Sequence, residues 1–333
     1  MKRLFLWILG IVAVLAVALF LAFRLSPWPT VLVIQYAFGK GDAASEARLV
    51  KHVPPGIVTR TDLPYGTGPT EIFDLNLPPN ASTPLPVIVW VHGGAWIAGS
   101  KAGVANYLKV LSGQGYATVG VEYSTGYGTS YPTPVRQVNA ALGHVSTHAA
   151  ELGIDPDRII LAGDSAGAQL AAQVANIITD PAYAGQVGIE PQIDPAQLRG
   201  VLLVSGAYDM QAATVPGGDM SWFVNTVLWA YSGVKDFVED EQFTLASVAH
   251  YVTPAFPPAY ITSGNGDPLS PQAERLAASL SGMGVPVSSL FYPADHAPAL
   301  PHEYQFNLDT PEGMASLDKM LAFLRTTLAS SSR

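Results

Sequence analysis

The chain has 333 residues, of which 49% are hydrophobic and 13% are charged. This balance supports a large core and is not typical of a disordered chain. Lysine and arginine number 17 against 26 aspartates and glutamates, a formal charge of −9. No basic run stands out, which argues against nucleic-acid binding. The absence of cysteine excludes disulfides, a thiol nucleophile and Cys-ligated metal centres.

The N-terminal segment, residues 1–24, predicts a membrane span. The stretch 4–23 is apolar and uncharged, with Lys2 and Arg3 before it and Arg24 after it. At about 1.5 Å per residue, a helix of this length covers roughly 30 Å, the hydrocarbon thickness of a bilayer. We favour an uncleaved anchor in contact with the lipid bilayer; the alternatives are a cleaved secretory signal and a buried core helix. The positive charges before the span predict that the N-terminus is cytoplasmic and that the chain after Arg24, including its main domain, is extracytoplasmic.

Residues 25–53 are interpreted as a linker followed by a juxtamembrane helix. Val31, Ile34 and Phe38 fall on one face of this helix. We expect it to lie over the main domain or on the membrane surface. Further along, between residues 54 and 80, two short alternating runs separated by turn residues predict an antiparallel pair of strands at a sheet edge.

From residue 86 onward, predicted strands alternate with predicted helices. The strands are continuous apolar runs, typical of strands buried on both faces: 86–91, 117–123, 158–163, 200–206, 258–264 and 285–293. The helices between and after them are 106–113, 134–152, 166–178, 271–283 and 311–329. This alternation predicts an α/β fold with a mostly parallel central sheet flanked by helices, and with sites at the carboxyl ends of the strands. Residues 209–251 break the alternation and predict a small helical cap insertion; their aromatic side chains belong either to the core or to the lid of an apolar pocket.

One serine stands at a predicted strand-to-helix junction, in the sequence GDSAG at residues 163–167. A G-x-S-x-G pattern in this context predicts a tight turn that raises the Ser165 hydroxyl clear of the sheet. Gly163 and Gly167 leave free the space that Cβ atoms would fill. The following helix points its N–H groups toward a developing negative charge. Ser165 is therefore the candidate nucleophile.

A second motif, HGGAW at residues 92–96, follows the predicted strand 86–91. Glycines here allow backbone N–H groups to point into a site, and acyl transfer needs two or three such donors near the oxyanion. Four residues are therefore assigned to an oxyanion hole: Gly93, Gly94, Ala95 and Ala166. Gly93 supplies the bend and the other three supply N–H groups. His92 is expected to brace the loop through its ring and not to act as the base.

A serine nucleophile requires a histidine base and a carboxylate that orients the histidine. In this kind of sheet the chain order is serine, acid, histidine. Asp267 follows the predicted strand 258–264 in a glycine-rich loop and is the candidate acid. Two histidines follow the last strand. His302 is favoured as the base because it lies closer to the final helix, and His296 is the alternative.

Together these motifs resemble the α/β-hydrolase superfamily, and more narrowly the bacterial hormone-sensitive-lipase-like esterases. The resemblance covers residues 54–333, the predicted catalytic domain. It implies ester hydrolysis through an acyl-enzyme and a helical cap over an acyl pocket. Members carry an aromatic residue two positions after the catalytic histidine, which fits HEY at His302 and not HAP at His296. Two features depart from the family: the loop contains Ala95 where a third glycine is usual, and the chain carries the N-terminal span.

The sequence therefore predicts a serine carboxylesterase acting on short-chain esters, with an ester as its small-molecule partner and no metal or other cofactor. The same triad acting as a formamidase, amidase or peptidase is one alternative. A non-catalytic binding domain on a hydrolase scaffold is another. His144 and His148 lack the glutamate of a zinc-peptidase motif and are interpreted as a structural pair.

Overall fold

The computed structural model describes residues 2–81, 84–212 and 221–329. Its strands are β1 Val58–Pro64, β2 Ile72–Leu77, β3 Leu85–Val91, β4 Ala117–Val121, β5 Ile154–Asp164, β6 Leu198–Val204, β7 Ala259–Thr262 and β8 Val287–Leu290. They form one sheet in the order β1-β2-β4-β3-β5-β6-β7-β8. β2 runs antiparallel to both of its neighbours, and all the other adjacent pairs are parallel. The mostly parallel sheet and the antiparallel edge pair confirm the sequence predictions.

Helices cover both faces of this sheet, with two further helices before it. They are α1 Lys2–Leu25, α2 Trp28–Leu49, α3 Ala105–Ser112, α4 Thr133–Thr147, α5 Ala149–Leu152, α6 Ala166–Thr179, α7 Pro181–Val187, α8 Ser221–Ser232, α9 Glu241–Thr244, α10 Ser270–Gly282 and α11 Pro311–Ala329. The predicted helix 134–152 is two helices, because the backbone of His148 leaves helical geometry. The α7 helix was not predicted; Asp180 caps its first turn by accepting hydrogen bonds from two backbone N–H groups.

The central strand β3 shows why its sequence is a continuous apolar run. Val87, Val89 and Val91 pack into the core on one face of the sheet. Ile88 and Trp90 alternate with them and pack into a second core on the other face. All five side chains are fully buried. A strand covered on both faces has no solvent side on which polar residues would be stable.

The two N-terminal helices differ in their packing. α1 is the one helix in the described part of the chain that is long and apolar enough to cross a membrane, and none of it is buried. α2 packs on the domain through Val31 and Ile34, which are buried, as its periodicity predicted. Phe38 on the same face contacts Phe223 of α8.

The insertion between β6 and β7 contains the helices α8 and α9, joined by turns and irregular backbone, in the part that the structure describes. Residues 213–220 lie outside the described residues. Tyr231 of α8 is buried and stacks on Trp96, with ring centroids 5.0 Å apart. Trp222 at the start of the same helix is exposed. The aromatic residues of this insertion are thus divided between the core and the surface.

Candidate active site

Ser165 lies in a sharp turn between β5 and α6. Its backbone has φ 51° and ψ −118°, a conformation that is strained for a residue with a Cβ. A Cβ on Gly163 would overlap the backbone of Gly167, and one on Gly167 would overlap the carbonyl oxygen of Val91 in β3. Both glycines are therefore required by the close approach of α6 to the sheet. This strained backbone conformation exposes the Ser165 hydroxyl at the carboxyl edge of the sheet.

Two other candidate residues meet Ser165 from distant parts of the chain. His302 Nε2 lies 3.0 Å from Ser165 Oγ. On the other side of the ring, His302 Nδ1 lies 2.9 Å from Asp267 Oδ2. At this distance Nδ1–H donates a hydrogen bond to the carboxylate. In the neutral ring Nε2 then carries no proton and can accept the proton of the serine. The structure thus brings together the serine, the acid and the favoured histidine.

Hydrogen bonds inside the protein hold the Asp267 carboxylate, which is buried. Oδ2 accepts a hydrogen bond from the Ser263 hydroxyl at 2.8 Å, and Oδ1 accepts one from the Leu269 backbone N–H at 2.9 Å. Burial acts to raise the pKa of Asp267, but the bonds from His302 and from these two donors outweigh it, and the pKa is lowered. Sequence reasoning missed Ser263, because no motif distinguishes it from any other serine at the end of a strand.

A second carboxylate, Glu303, lies beside the histidine. Its Oε1 is 3.6 Å from His302 Nε2. Burial of the imidazole acts to lower its pKa, but Glu303 and Asp267 outweigh that effect and raise the pKa of His302 to about 9. The imidazole therefore stays protonated to a higher pH than an ordinary histidine does. Sequence reasoning did not identify Glu303; its position next to His302 in HEY was the available signal.

Glu303 also pairs with Asp164, which lies inside the nucleophile turn. Burial raises the pKa of Asp164 well above its usual value, and the charge of the adjacent Glu303 adds to this effect. Asp164 is buried, and its oxygens accept hydrogen bonds from Trp90 Nε1 at 2.6 Å and from the Gly93 N–H at 2.8 Å. A protonated Asp164 can in addition donate to Glu303. The carboxyl pair thereby links the nucleophile turn, the HGGAW loop and the segment that carries His302.

Among the described residues, the HGGAW loop and the start of α6 leave three backbone N–H groups free. Within the described chain no hydrogen-bond acceptor is found for the N–H groups of Gly94, Ala95 or Ala166, the last being the first residue of α6. The N–H of Gly93 is engaged by the Asp164 carboxyl group. Gly93 is therefore not a free donor, and a Cβ on it would overlap that carboxyl group. Ala95 adopts φ 54° in spite of its Cβ.

The remaining histidines contact other partners. His296 Nε2 lies 3.2 Å from Glu312 Oε1, so its ring is engaged away from the serine. His92 is buried, and its Nδ1–H donates to the Gly93 carbonyl at 2.7 Å while the ring stacks on Tyr123. His144 and His148 stack on each other with ring centroids 4.0 Å apart. No cluster of potential metal ligands is found among the described residues.

A mainly parallel sheet with a serine at a strand-to-helix turn, and with an acid and a histidine after later strands, defines the α/β-hydrolase fold. Residues 73–280 match the model of the BD-FAE family, and the chain belongs to that family. The curated relatives include Esterase LipQ of Mycobacterium tuberculosis, 30% identical over 66% of this chain and 51% of that protein. Carboxylesterase NlhH of the same organism is 29% identical over 75% of this chain and 76% of that protein.

The solved structures agree in fold. The crystal structure of esterase B from Lactobacillus rhamnosis superposes with a TM-score of 0.77, at 24% identity, over 90% of this chain and 96% of that one. These comparisons confirm the resemblance that the motifs indicated. The chain spans 31%, 51% and 52% of the lengths of the first three curated relatives that it matches.

Proposed function

We propose that this protein is a serine carboxylesterase that cleaves carboxylic esters through an acyl-enzyme. The observation that carries the proposal is the continuous hydrogen-bond chain from Ser165 Oγ to His302 and from His302 to Asp267. Its parts come from the ends of different elements, and a chance arrangement would not also supply free backbone N–H groups beside the serine.

In the proposed reaction, Ser165 Oγ attacks the ester carbonyl carbon while His302 Nε2 takes the hydroxyl proton. Asp267 keeps the proton on Nδ1 and stabilises the imidazolium that forms. The carbonyl oxygen becomes negatively charged and is stabilised by backbone N–H groups of Gly94, Ala95 and Ala166. His302 then protonates the departing alcohol. In the second half of the cycle it removes a proton from water, which attacks the acyl group and regenerates Ser165.

Short acyl chains are the proposed substrate class. Support comes from the fold neighbour, esterase B, which has been crystallised with a C4-C4 tributyrin phosphonate inhibitor. Among the curated relatives, one is called an acetyl esterase. Tributyrin and p-nitrophenyl acetate are therefore the first substrates to test, followed by p-nitrophenyl esters of longer acids. A p-nitroanilide of the same acid tests the amidase alternative in the same preparation.

We also propose that α1 anchors the enzyme in a bilayer with the catalytic domain on the extracytoplasmic side. The supporting features are its length, its apolar composition and the exposure of every part of it. A core helix would be buried. Intact-mass measurement of the protein recovered from membranes tests the alternative, in which the segment is cleaved as a signal.

The decisive experiment combines turnover with labelling by a fluorophosphonate. Wild-type protein is expected to hydrolyse p-nitrophenyl acetate and to be labelled at Ser165. Ser165→Ala should lose labelling and lower kcat by about 10⁴-fold or more. Ser281→Ala, which removes an exposed hydroxyl on α10, is the matched control and should behave as wild type. Labelling elsewhere, or unchanged turnover in Ser165→Ala, would overturn the proposal; absent labelling and turnover in folded wild type would favour a non-catalytic binding domain.

A further inference from the structure

The first two turns of α2 are apolar on both sides. Val31 and Ile34 are buried in the domain, as a helix packed on a protein requires. Leu32, Val33 and Tyr36 lie on the outer side, with 65%, 65% and 66% of their surface exposed. Such a face is costly in water, because each apolar side chain gains free energy when it is removed from water. Apolar residues grouped on an exposed face mark an interaction surface.

A neighbouring loop extends this face. Tyr127 is 82% exposed, and its ring packs edge-on against Trp28 at 5.1 Å. Trp28 begins α2 and lies one turn before Leu32, so the tyrosine adjoins the exposed face. We call Leu32, Val33, Tyr36 and Tyr127 the outer apolar patch.

The patch ends in a positive charge. Lys40 lies one turn after Tyr36, and its ammonium group is 4.5 Å from the centre of the tyrosine ring. Beyond it, the exposed positions of α2 include the cationic Arg48 and no large apolar residue. Apolar and aromatic side chains followed by lysine form the order found where a protein crosses from hydrocarbon to headgroups.

The position of α1 indicates what covers the outer apolar patch. α1 ends at Leu25, and only Ser26 and Pro27 separate it from α2. At 3.6 Å per residue or less, the start of α2 lies within about 11 Å of the end of α1. The interfacial layer on each side of a bilayer is roughly 5–8 Å thick. The first turns of α2 therefore cannot leave the neighbourhood of a membrane that α1 crosses.

We propose that the outer apolar patch is a membrane-docking surface that rests in the interface of the same bilayer that α1 crosses. This inference rests on the anchor advanced under the proposed function. The partner of the patch is a lipid surface. Contact between the two holds the catalytic domain against the membrane, so that the domain does not move freely on its anchor. The same helix also contacts the residue that follows the HGGAW loop, since Gln35 Nε2 donates to the Ile97 carbonyl oxygen at 2.6 Å. Esters that partition into membranes are the substrate class that this placement favours.

The absence of cysteine makes the test direct, because each introduced cysteine is the single labelling site. Full-length Leu32→Cys, Tyr36→Cys and Tyr127→Cys are labelled with the fluorophore NBD and reconstituted in phosphatidylcholine–phosphatidylglycerol vesicles. Val14→Cys in α1 reports the anchor. Met283→Cys is the matched control: it is a 40% exposed apolar residue between α10 and β8, the edge strand of the sheet. Hydrolysis of p-nitrophenyl acetate by each labelled protein verifies the fold.

Doxyl-labelled lipids are then added as quenchers. The three patch probes and the Val14 probe are expected to be quenched about twofold or more, while the Met283 probe is not. If Val14 is quenched and the patch probes behave like Met283, the docking inference fails while the anchor stands. If Val14 is not quenched either, the anchor fails and the inference fails with it. Loss of turnover in Ser165→Ala is independent of both results.

Discussion

Replacing Glu303 with glutamine is predicted to move the pH dependence of the reaction. The imidazolium form of His302 is stabilised by the Glu303 carboxylate, whose Oε1 lies 3.6 Å from Nε2. Removing that negative charge lowers the pKa of His302, so the neutral base becomes available at lower pH. The acidic limb of the pH profile of kcat/KM, expected near pH 9 in wild type, should move to lower pH.

The size of the shift follows from the separation of the charges. At 3.6 Å, two unit charges attract by about 1 kcal/mol in bulk water and by about 5 kcal/mol at an effective dielectric constant of 20. The His302 side chain is 36% exposed, which favours the low end of this range because water screens the pair. One pKa unit corresponds to about 1.4 kcal/mol. The expected displacement is therefore about one pH unit.

The assay measures kcat/KM for p-nitrophenyl acetate between pH 6 and roughly pH 10.5, with correction for spontaneous hydrolysis. Glu303→Gln should shift the acidic limb and leave the alkaline plateau nearly unchanged, since Asp267 still holds the ring. Glu312→Gln is the matched control, because Glu312 pairs with His296 and not with His302. An unmoved limb in folded Glu303→Gln, or an equal shift in Glu312→Gln, would refute the electrostatic reasoning.

Substitutions at three further positions test the residues that support the site. Asp164→Ala should lower the free energy of unfolding in urea by about 3–5 kcal/mol, because the buried N–H groups of Trp90 and Gly93 lose their acceptors. Asp164→Asn keeps one acceptor oxygen for these two donors and should lose roughly half as much. Gly167→Ala places a Cβ onto the backbone of β3, and we expect little soluble, active enzyme by expression and labelling. Gln35→Ala removes the donor to the Ile97 carbonyl, directly after the HGGAW loop, and should lower kcat severalfold while fluorophosphonate still labels the protein. Normal kinetics in Gln35→Ala would show that α2 does not support the loop.

The sequence was most informative where local backbone geometry demands particular residues. The nucleophile turn is an example, since the backbone of α6 leaves no room for a Cβ on Gly163 and the end of β3 leaves none for a Cβ on Gly167. Those two positions are glycines in any sequence that forms the turn without distortion, so the motif predicts the structure. The strand pattern is informative for a similar reason: a β3 buried on both faces reads as a continuous apolar run.

Side-chain direction in long loops was harder to predict. The sequence favoured His302 as the base but did not exclude His296, because either histidine could reach the serine from the loop after β8. Their partners depend on the three-dimensional path of that loop. The same holds for Glu303, whose backbone has φ 57° and whose N–H donates to the Ser205 hydroxyl. That conformation aims its carboxylate at His302 and Asp164, and no pattern of residue types in the sequence specifies it.

Stability and activity are expected to change in opposite directions as the pH rises. The folded pKa of His302, about 9, exceeds the ordinary value of 6.5 that applies to the unfolded chain. The imidazolium therefore contributes stability that is fully present below pH 6.5 and is lost as the pH rises through about 9. Over the same interval the neutral base is formed and kcat/KM increases. Thermal unfolding should show a Tm that falls between pH 7 and roughly pH 9.5 in wild type and falls less in His302→Gln, which carries no titrating ring. Identical Tm profiles for the two proteins would mean that Glu303 and Asp267 do not stabilise the imidazolium in the resting enzyme, and the acidic limb of kcat/KM would then need a different titrating group.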